Sequence, residues 1–172
     1  GLGPSMPQGA SLRAIRAGEP IFIDLVAVVD GLMVDQTRVF ALGDLPEDLA
    51  AAHQTMLEVQ STVAAAAVPG AVCGDLYELA VTTAAKKGLA ENFMGLGADR
   101  VAFVGHGVGL ELNELPVLAR GAKAILQTGN VFALEPKCLF PGRGAVGIEN
   151  TWLVTENGPV RLTTTPDELT IL

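Results

Sequence analysis

The sequence is poor in aromatic and basic residues, and each shortage excludes a class of protein. Phenylalanine, tryptophan and tyrosine make up 5% of the 172 residues, so the core must be built from Val, Leu, Ile and Ala. Eleven Lys and Arg stand against 19 Asp and Glu, a net charge of −8. No basic stripe is present, which predicts no nucleic-acid partner and no anionic membrane partner. No apolar run reaches the ~20 residues of a membrane helix.

Cysteine is also scarce. Cys73 and Cys138 lie far apart in the chain, which suits reduced thiols better than a disulfide framework and predicts a cytoplasmic protein. A hydrophobic fraction of 49% with 17% charged residues indicates one ordered domain over 1–172. No signal-peptide pattern is visible, and the chain starts at Gly1 without a methionine, so we expect a trimmed or excised domain.

Two aspartates occupy one predicted β-hairpin. The segment 20–40 is a long apolar run interrupted by Asp30-Gly31, a dipeptide typical of a tight hairpin turn. With this turn Asp35 faces Val26, and Asp24 and Asp35 become diagonal neighbours on one face, about 7 Å apart at the backbone. Two carboxylates among apolar residues are costly unless a cation lies between them, which indicates a divalent metal ion.

The remaining elements predict an α+β domain. One helix is expected over 46–68, where apolar residues recur at spacings of three and four, and another over about 75–87. Short strands are expected over 101–118, and two further strands over 131–140 and 145–155. Because strands follow strands without a helical crossover, the sheet should be curved and mainly antiparallel.

A second pair of acids lies in the last two of these strands. Glu135 is in VFALEP and Glu149 is in VGIENTWLV, both otherwise apolar. If Phe140 faces Ala145 across the turn, Glu135 lies opposite Asn150, next to Glu149. A single bulge would bring the two glutamates face to face, and the sequence leaves this register open.

His106 lies between two glycines, which let the backbone pack closely and leave the imidazole free to point into a cavity. A lone histidine is more often a core residue, and a lone acid in a strand most often faces water. Four acids inside the apolar strands of two hairpins fit that interpretation poorly. They predict an oxygen-rich site for Mn²⁺, Fe²⁺, Co²⁺ or Zn²⁺, with two ions rather than one. Its members are Asp24, Asp35, His106, Glu135 and Glu149.

Other polar residues are interpreted as structural or solvated. His53, on the first helix, is predicted to lie at the surface. The remaining acids of note are predicted to be solvated charges, helix caps or rim residues: Glu47, Asp48, Glu111, Glu114, Glu156, Asp167 and Glu168.

The motifs IDLVAVVDGLMVDQTRVFALG, GHGVGLELNELP, VFALEP and GIENTWLVTENG, in this order, resemble those of a metallopeptidase family. The family comprises methionine aminopeptidases, prolidases, Xaa-Pro aminopeptidases and creatinases. The resemblance runs along essentially the whole chain and implies the pita-bread fold. Arg38 and the LPVL segment are most similar to the Xaa-Pro branch. The family fold normally begins with further helices and a strand, so we expect its N-terminal part to be missing from 1–172.

The resemblance implies a dinuclear metal-dependent aminopeptidase or dipeptidase of the Xaa-Pro type, hydrolysing short peptides. The five residues named above would be the ligands of two divalent ions, with Mn²⁺ expected first and with Asp35 and Glu149 shared by both ions. In the chemistry of the family, a metal-bridging hydroxide attacks the peptide carbonyl and Glu135 shuttles the proton, with His106 beside it. Relatives of this branch are often dimers, which implies a homodimer.

Three positions depart from the pattern that the resemblance implies. Active relatives usually carry a histidine at position 113, another at position 8 and, in the Xaa-Pro branch, an arginine at position 147. This chain has Asn113, Gln8 and Gly147 there. Amide side chains donate hydrogen bonds but do not titrate near pH 7. We therefore expect an intact metal site with altered substrate contacts by Asn113 and Gln8.

Two other functions stay open. The altered contacts suit a hydrolase or lyase that acts on a small non-peptide substrate with the same metal site. A catalytically silent metal-binding module for protein interaction is the other alternative, and the retention of all five ligand residues argues against it.

Overall fold

The computed structural model describes residues 12–172, so Gln8 lies outside the described residues. Within these residues, ten strands and two helices follow one another, with a short 3-10 turn at Gly97–Asp99. Their order is β1 (Pro20–Val29), β2 (Leu32–Ala41), α1 (Glu47–Ala66), α2 (Cys73–Lys86), β3 (Phe103–Gly107), β4 (Glu114–Ala119), β5 (Val131–Leu134), β6 (Lys137–Phe140), β7 (Gly144–Gly147), β8 (Asn150–Thr155), β9 (Gly158–Arg161) and β10 (Thr170–Ile171). This arrangement confirms the α+β class.

The first hairpin has the predicted register. Asp35 pairs with Val26, and Asp24 pairs with Thr37. Asp30 and Gly31 have φ angles of 52° and 84°, the left-handed values that a two-residue hairpin turn with the twist of its strands requires. The turn dipeptide therefore sets the face on which both aspartates lie.

The register of the second hairpin differs by one residue from the predicted pairing of Phe140 with Ala145. Phe140 pairs with Gly144 rather than Ala145, because the loop has three residues and Gly142 adopts a left-handed φ of 71°. Leu134 therefore pairs with Asn150. The two glutamates come opposite each other without an extra bulge.

The described strands form three sheets, with the orders β1-β2-β10, β4-β3-β5-β8-β9 and β6-β7. All pairings of the described strands are antiparallel except that of β10 with β2. An isolated bridge between Thr37 and Glu149 connects β2 to the junction of β7 and β8. This bridge brings the two acidic hairpins together.

The two helices have the predicted positions within two residues. Helix α1 follows Pro46, carries Glu47 and Asp48 in its first turn, and buries residues three and four apart, including Met56, Val59 and Val63. Helix α2 begins two residues earlier than predicted. Gly74 lies in its first turn, where an added Cβ would come 2.7 Å from the Ala122 carbonyl oxygen, so the glycine permits this contact.

Two surface predictions are wrong. His53 is 3% exposed, and its Nε2 lies 3.3 Å from the Asp167 carbonyl oxygen, because the segment after β9 covers this face of α1. Asp167 is partly buried and accepts hydrogen bonds from Arg161 and Asn150. Both errors have one cause: helical periodicity does not reveal what a C-terminal segment covers.

Both cysteines are free, as the sequence predicts, and both are buried. Within residues 12–172, neither helix has the length and apolar character needed to cross a membrane.

Candidate metal centre

Asp35, His106 and Glu149 come together from three separate segments of the chain. Asp35 comes from β2, His106 from β3, and Glu149 from the junction of β7 and β8. One ligand atom of each lies within 4.8 Å of the others, and all three residues are buried. Carboxylate oxygens and an imidazole nitrogen at this separation are suited to one divalent transition-metal ion.

The other two predicted ligands adjoin this cluster. Glu135 follows β5, and its Oε1 lies 3.5 Å from His106 Nε2. Asp24, on β1, lines the same cavity but is exposed. The cavity has a volume of about 150 Å³ and is lined by all five predicted ligands. The structure thus gathers the five residues, although they differ in burial.

The carboxylates have too few protein partners for their charge. Burial, followed by repulsion from Asp24 and Glu135, raises the pKa of Asp35 to about 7. Burial, followed by repulsion from Glu135 and Asp35, also raises the pKa of Glu149 well above its usual value. The buried Asp35 Oδ1 has no hydrogen-bond partner among the described residues. A bound divalent cation would satisfy this oxygen and relieve the repulsion, so the residues fit a metal ion.

Backbone and hydroxyl contacts orient the three clustered side chains. The Thr151 hydroxyl accepts a hydrogen bond from the Asp35 amide and donates one to the Asp35 carbonyl oxygen. The Thr37 hydroxyl donates to Glu149 Oε2 over 2.8 Å. His106 Nδ1 lies 3.0 Å from its acceptor, the carbonyl oxygen of Gly107, which places the imidazole proton on Nδ1. The Nε2 lone pair is then left for the cavity.

Sequence reasoning missed one charged residue of this cavity, Lys137. Its Nζ lies 2.5 Å from Glu135 Oε2, and the residue is 9% exposed. Burial acts to lower the pKa of Lys137, but attraction to Glu135 and Glu149 outweighs burial and raises it. The spacing of the two residues could have revealed it. Residues two apart on a strand point to the same face, so Lys137 lies in the cavity with Glu135.

Asn113 lies at the surface and lines two cavities, the one just described and a second of about 330 Å³. The second cavity also contains His106 and the largely apolar side chains Phe103, Leu115 and Val117. The structure therefore places Asn113 beside the metal cluster, in the lining of both cavities.

The profile of metallopeptidase family M24 matches residues 3–156. This chain belongs to metallopeptidase family M24. It is 34% identical over 166 residues to a Xaa-Pro dipeptidase of Pyrococcus furiosus, a match that covers 96% of this chain and 46% of that protein. These matches confirm the family resemblance that the sequence motifs indicated.

Solved peptidase structures are similar to this chain in fold. An X-Pro aminopeptidase from Thermotoga maritima matches with a TM-score of 0.89 and 29% identity, over 98% of this chain and 46% of that one. Dipeptidase PepE from Mycobacterium ulcerans also gives a TM-score of 0.89, with 31% identity over 98% of this chain and 44% of that one. The chain has the fold of these peptidases, and it spans about half the length of the curated relatives it matches.

Proposed function

We propose that this chain is the metal-binding catalytic part of a dipeptidase or aminopeptidase of the Xaa-Pro type, acting on short peptides. One observation carries this proposal: Asp35, His106 and Glu149 present ligand atoms within 4.8 Å of one another in a cavity that also contains Asp24 and Glu135. Membership of family M24, and the names of the similar Xaa-Pro dipeptidase and X-Pro aminopeptidase, support the reaction class.

The five predicted ligands would hold two divalent ions, which we propose to be Mn²⁺, with Asp35 and Glu149 shared between them. Four carboxylates carry four negative charges when ionised, which two divalent ions would balance. When bound, such ions supply an acidified water and polarise the carbonyl group of a substrate. A cytoplasmic location and a homodimer stay predictions from the sequence.

Glu135 is the residue that we propose for proton transfer. Its side chain is 12% exposed, and its two oxygens face His106 Nε2 at 3.5 Å and Lys137 Nζ at 2.5 Å. A carboxylate at the edge of the cluster takes the proton of an attacking water and returns it to the leaving amine. We propose this role for Glu135, and His106 beside it would hold an ion through its Nε2 lone pair.

Substrate contacts would come from the surface side of the cluster. The Asn113 amide would donate a hydrogen bond to a peptide carbonyl, and the largely apolar second cavity would accept a substrate side chain. We propose Gln8 as a second amide donor, on the basis of its place in the motif pattern.

The test uses full-length protein, stripped of metal, reloaded with Mn²⁺ and incubated with a library of short peptides that includes Xaa-Pro sequences. We expect mass spectrometry to detect loss of one residue ahead of proline. Glu135→Gln should lower the rate by about 10²–10⁴-fold while most Mn²⁺ stays bound. Glu78→Gln, an exposed change on α2, is the matched control. Full activity of Glu135→Gln would rule out this mechanism.

A second candidate is a hydrolase or lyase on a small non-peptide substrate. The observation that favours it is the substrate side of the site, where Asn113 and Gly147 replace the histidine and arginine that the resemblance implies. Bound Mn²⁺ without cleavage of any library peptide would favour this candidate over the peptidase.

A further inference from the structure

Lys137 brings a buried ammonium group into the candidate metal centre. Among the described residues that line the cavity, it is the one lysine or arginine. The residue is 9% exposed, and its Nζ lies 2.5 Å from Glu135 Oε2, within the range of a direct charge-assisted hydrogen bond. Although burial acts to lower the pKa of Lys137, attraction to Glu135 and Glu149 raises it, so the group is charged near neutral pH.

This ammonium group has more hydrogen-bond donors than the protein uses. A lysine ammonium carries three N–H groups and accepts no hydrogen bond. Within residues 12–172, Glu135 is the one hydrogen-bond partner of Lys137 Nζ. Two N–H groups are therefore left for the contents of the cavity. Water can satisfy them in the free protein, but a negatively charged oxygen is the stronger acceptor.

The space for this side chain is created by Gly147. Gly147 pairs with Lys137 across β6 and β7, so a side chain at position 147 would project from the same face as Lys137. A Cβ at position 147 would lie 2.7 Å from Lys137 Cβ and 2.7 Å from the Pro136 carbonyl oxygen. The absence of a side chain at 147 and the presence of a buried lysine at 137 thus form one structural unit.

The charge of the cavity favours a carboxylate as the ligand of Lys137. Two divalent ions would balance the four carboxylates of the predicted ligand set, which leaves the lysine as a positive charge without a counterpart. A carboxylate group of the substrate would neutralise this charge, whereas a cationic group would be repelled by it.

The position of Lys137 suits the carboxylate of a dipeptide. Glu135 lies between the lysine and the metal cluster, because its Oε2 is 2.5 Å from Lys137 Nζ and its Oε1 is 3.5 Å from His106 Nε2. The ammonium is therefore one carboxylate group away from the cluster. In a dipeptide the C-terminal carboxylate follows the scissile bond by a single residue, and consecutive Cα atoms are about 3.8 Å apart. A dipeptide with its scissile bond at the cluster thus brings its carboxylate within reach of Lys137.

We propose that Lys137 is a substrate-binding residue that holds the C-terminal carboxylate of a dipeptide, and that it makes the site select dipeptides over amidated or longer peptides. The inference deepens the proposed function and rests on it, because the scissile bond must lie at the metal cluster. Lys137 donates through the N–H groups that Glu135 does not use, and Glu135 fixes the ammonium in place.

The test compares two substrates that differ only in this carboxylate. Full-length protein loaded with Mn²⁺ is assayed with the dipeptide Ala-Pro and with its C-terminal amide. In the wild type we expect kcat/KM to be at least about tenfold higher for the free acid. In Lys137→Met this ratio should fall to about one, mainly through a higher KM for the acid. Any effect of the substitution on Glu135 changes both substrates alike and leaves the ratio unaltered.

Three further variants isolate the charge. Lys137→Gln is a second neutral variant, in case the methionine variant folds poorly. Lys137→Arg keeps the charge and should keep the preference for the acid. Lys123→Met removes an exposed lysine and should behave as the wild type. Equal rates for acid and amide in the wild type, or an unchanged ratio in both neutral variants, would overturn the proposal.

Binding of a product offers a measurement that needs no turnover. Calorimetric titration of the same proteins should show tighter binding of proline than of prolinamide in the wild type, and no such difference in Lys137→Met. If this difference is found but no peptide is cleaved, only the proposed function fails. If peptides are cleaved and the ratio does not depend on Lys137, only the role of Lys137 is rejected. Absence of both cleavage and the binding difference would reject both.

Discussion

Two buried polar clusters lie side by side on the same strands, and they are balanced in opposite ways. One surrounds Arg38 of β2 and Asn150 of β8, and the other contains Asp35 of β2 and Glu149, the residue before Asn150. The Arg38 guanidinium donates to the carbonyl oxygens of Thr37, Glu149, Thr165 and Pro166 and to Asn150 Oδ1, and it also lies 3.3 Å from Asp167 Oδ1. Each of its five N–H groups has an acceptor.

The Asn150 side chain completes the first cluster. Its amide donates to Gln60 Oε1 and Asp167 Oδ1, and its oxygen also accepts from the Thr163 hydroxyl. Protein groups therefore satisfy both ends of this side chain. Such a network stabilises the attachment of the C-terminal segment to α1 and the sheet.

The second cluster is left incomplete by the protein. Asp35 Oδ1 is buried without a hydrogen-bond partner among the described residues, and repulsion between acids contributes to the raised pKa values of Asp35 and Glu149. The difference teaches how to separate a structural polar cluster from a functional one. In the structural cluster protein atoms meet every demand, whereas the candidate metal cluster retains an excess of negative charge that fits a bound cation.

The largest effect is expected from breaking the satisfied cluster. Arg38→Met would leave several buried acceptors unpaired, and we expect the free energy of unfolding to fall by about 3–5 kcal/mol. Urea denaturation measures this loss. The matched control is Arg143→Met, which removes the exposed pair with Asp48 and should have little effect. Equal losses of unfolding free energy in the two variants would contradict the structural role of the Arg38 cluster.

A smaller effect is expected from titrating the unsatisfied cluster. The pKa of Asp35 is 3.8 in the unfolded chain and about 7 in the metal-free fold, so the fold binds more protons between these values. The free energy of unfolding of metal-free protein should therefore fall as pH rises from 3.8 to about 7. Asp35→Asn should remove a large part of this pH-dependent change in unfolding free energy, on the order of 2 kcal/mol. This is less than the full free-energy equivalent of the pKa shift, because water in the cavity screens the charges.

Thermal unfolding at a series of pH values measures this slope. Addition of Mn²⁺ should flatten it in the wild type, because metal binding requires the ionised carboxylates. In Asp35→Asn, added Mn²⁺ should change the unfolding temperature much less. If the free energy of unfolding of the metal-free wild type rose between pH 4 and 7, a raised pKa of Asp35 would not be its main cause.

The smallest effect is expected from the hydroxyl group that holds the backbone of Asp35. Thr151→Val leaves the amide and carbonyl of Asp35 without their hydroxyl partner, and we expect a loss of about 1–2 kcal/mol in unfolding free energy. Because Asp35 would be held less firmly, Mn²⁺ affinity should also fall. Thr164→Val, at an exposed position, is the control. Unchanged metal affinity in Thr151→Val would show that this threonine supports only the fold.

Local patterns allowed prediction of the parts of the site that lie within single hairpins. The Asp30-Gly31 turn set the pairing of Asp35 with Val26, because a two-residue loop leaves one register. The longer loop after Phe140 left two registers open, and the first of them was wrong by one residue. Strands β9 and β10 were not predicted, because both are short and β10 pairs with a strand distant in sequence.

The sequence by itself determined the α+β class, the two helices, the hairpin that places Asp24 and Asp35 on one face, and the identity of the acids that adjoin His106. Turn dipeptides, periodicity and residue chemistry act over a few positions, so a linear pattern shows them. Only the tertiary structure decided that His53 is buried and that Lys137 pairs with Glu135 in the space left by Gly147. These outcomes depend on segments far apart in the chain, whose packing no local pattern specifies.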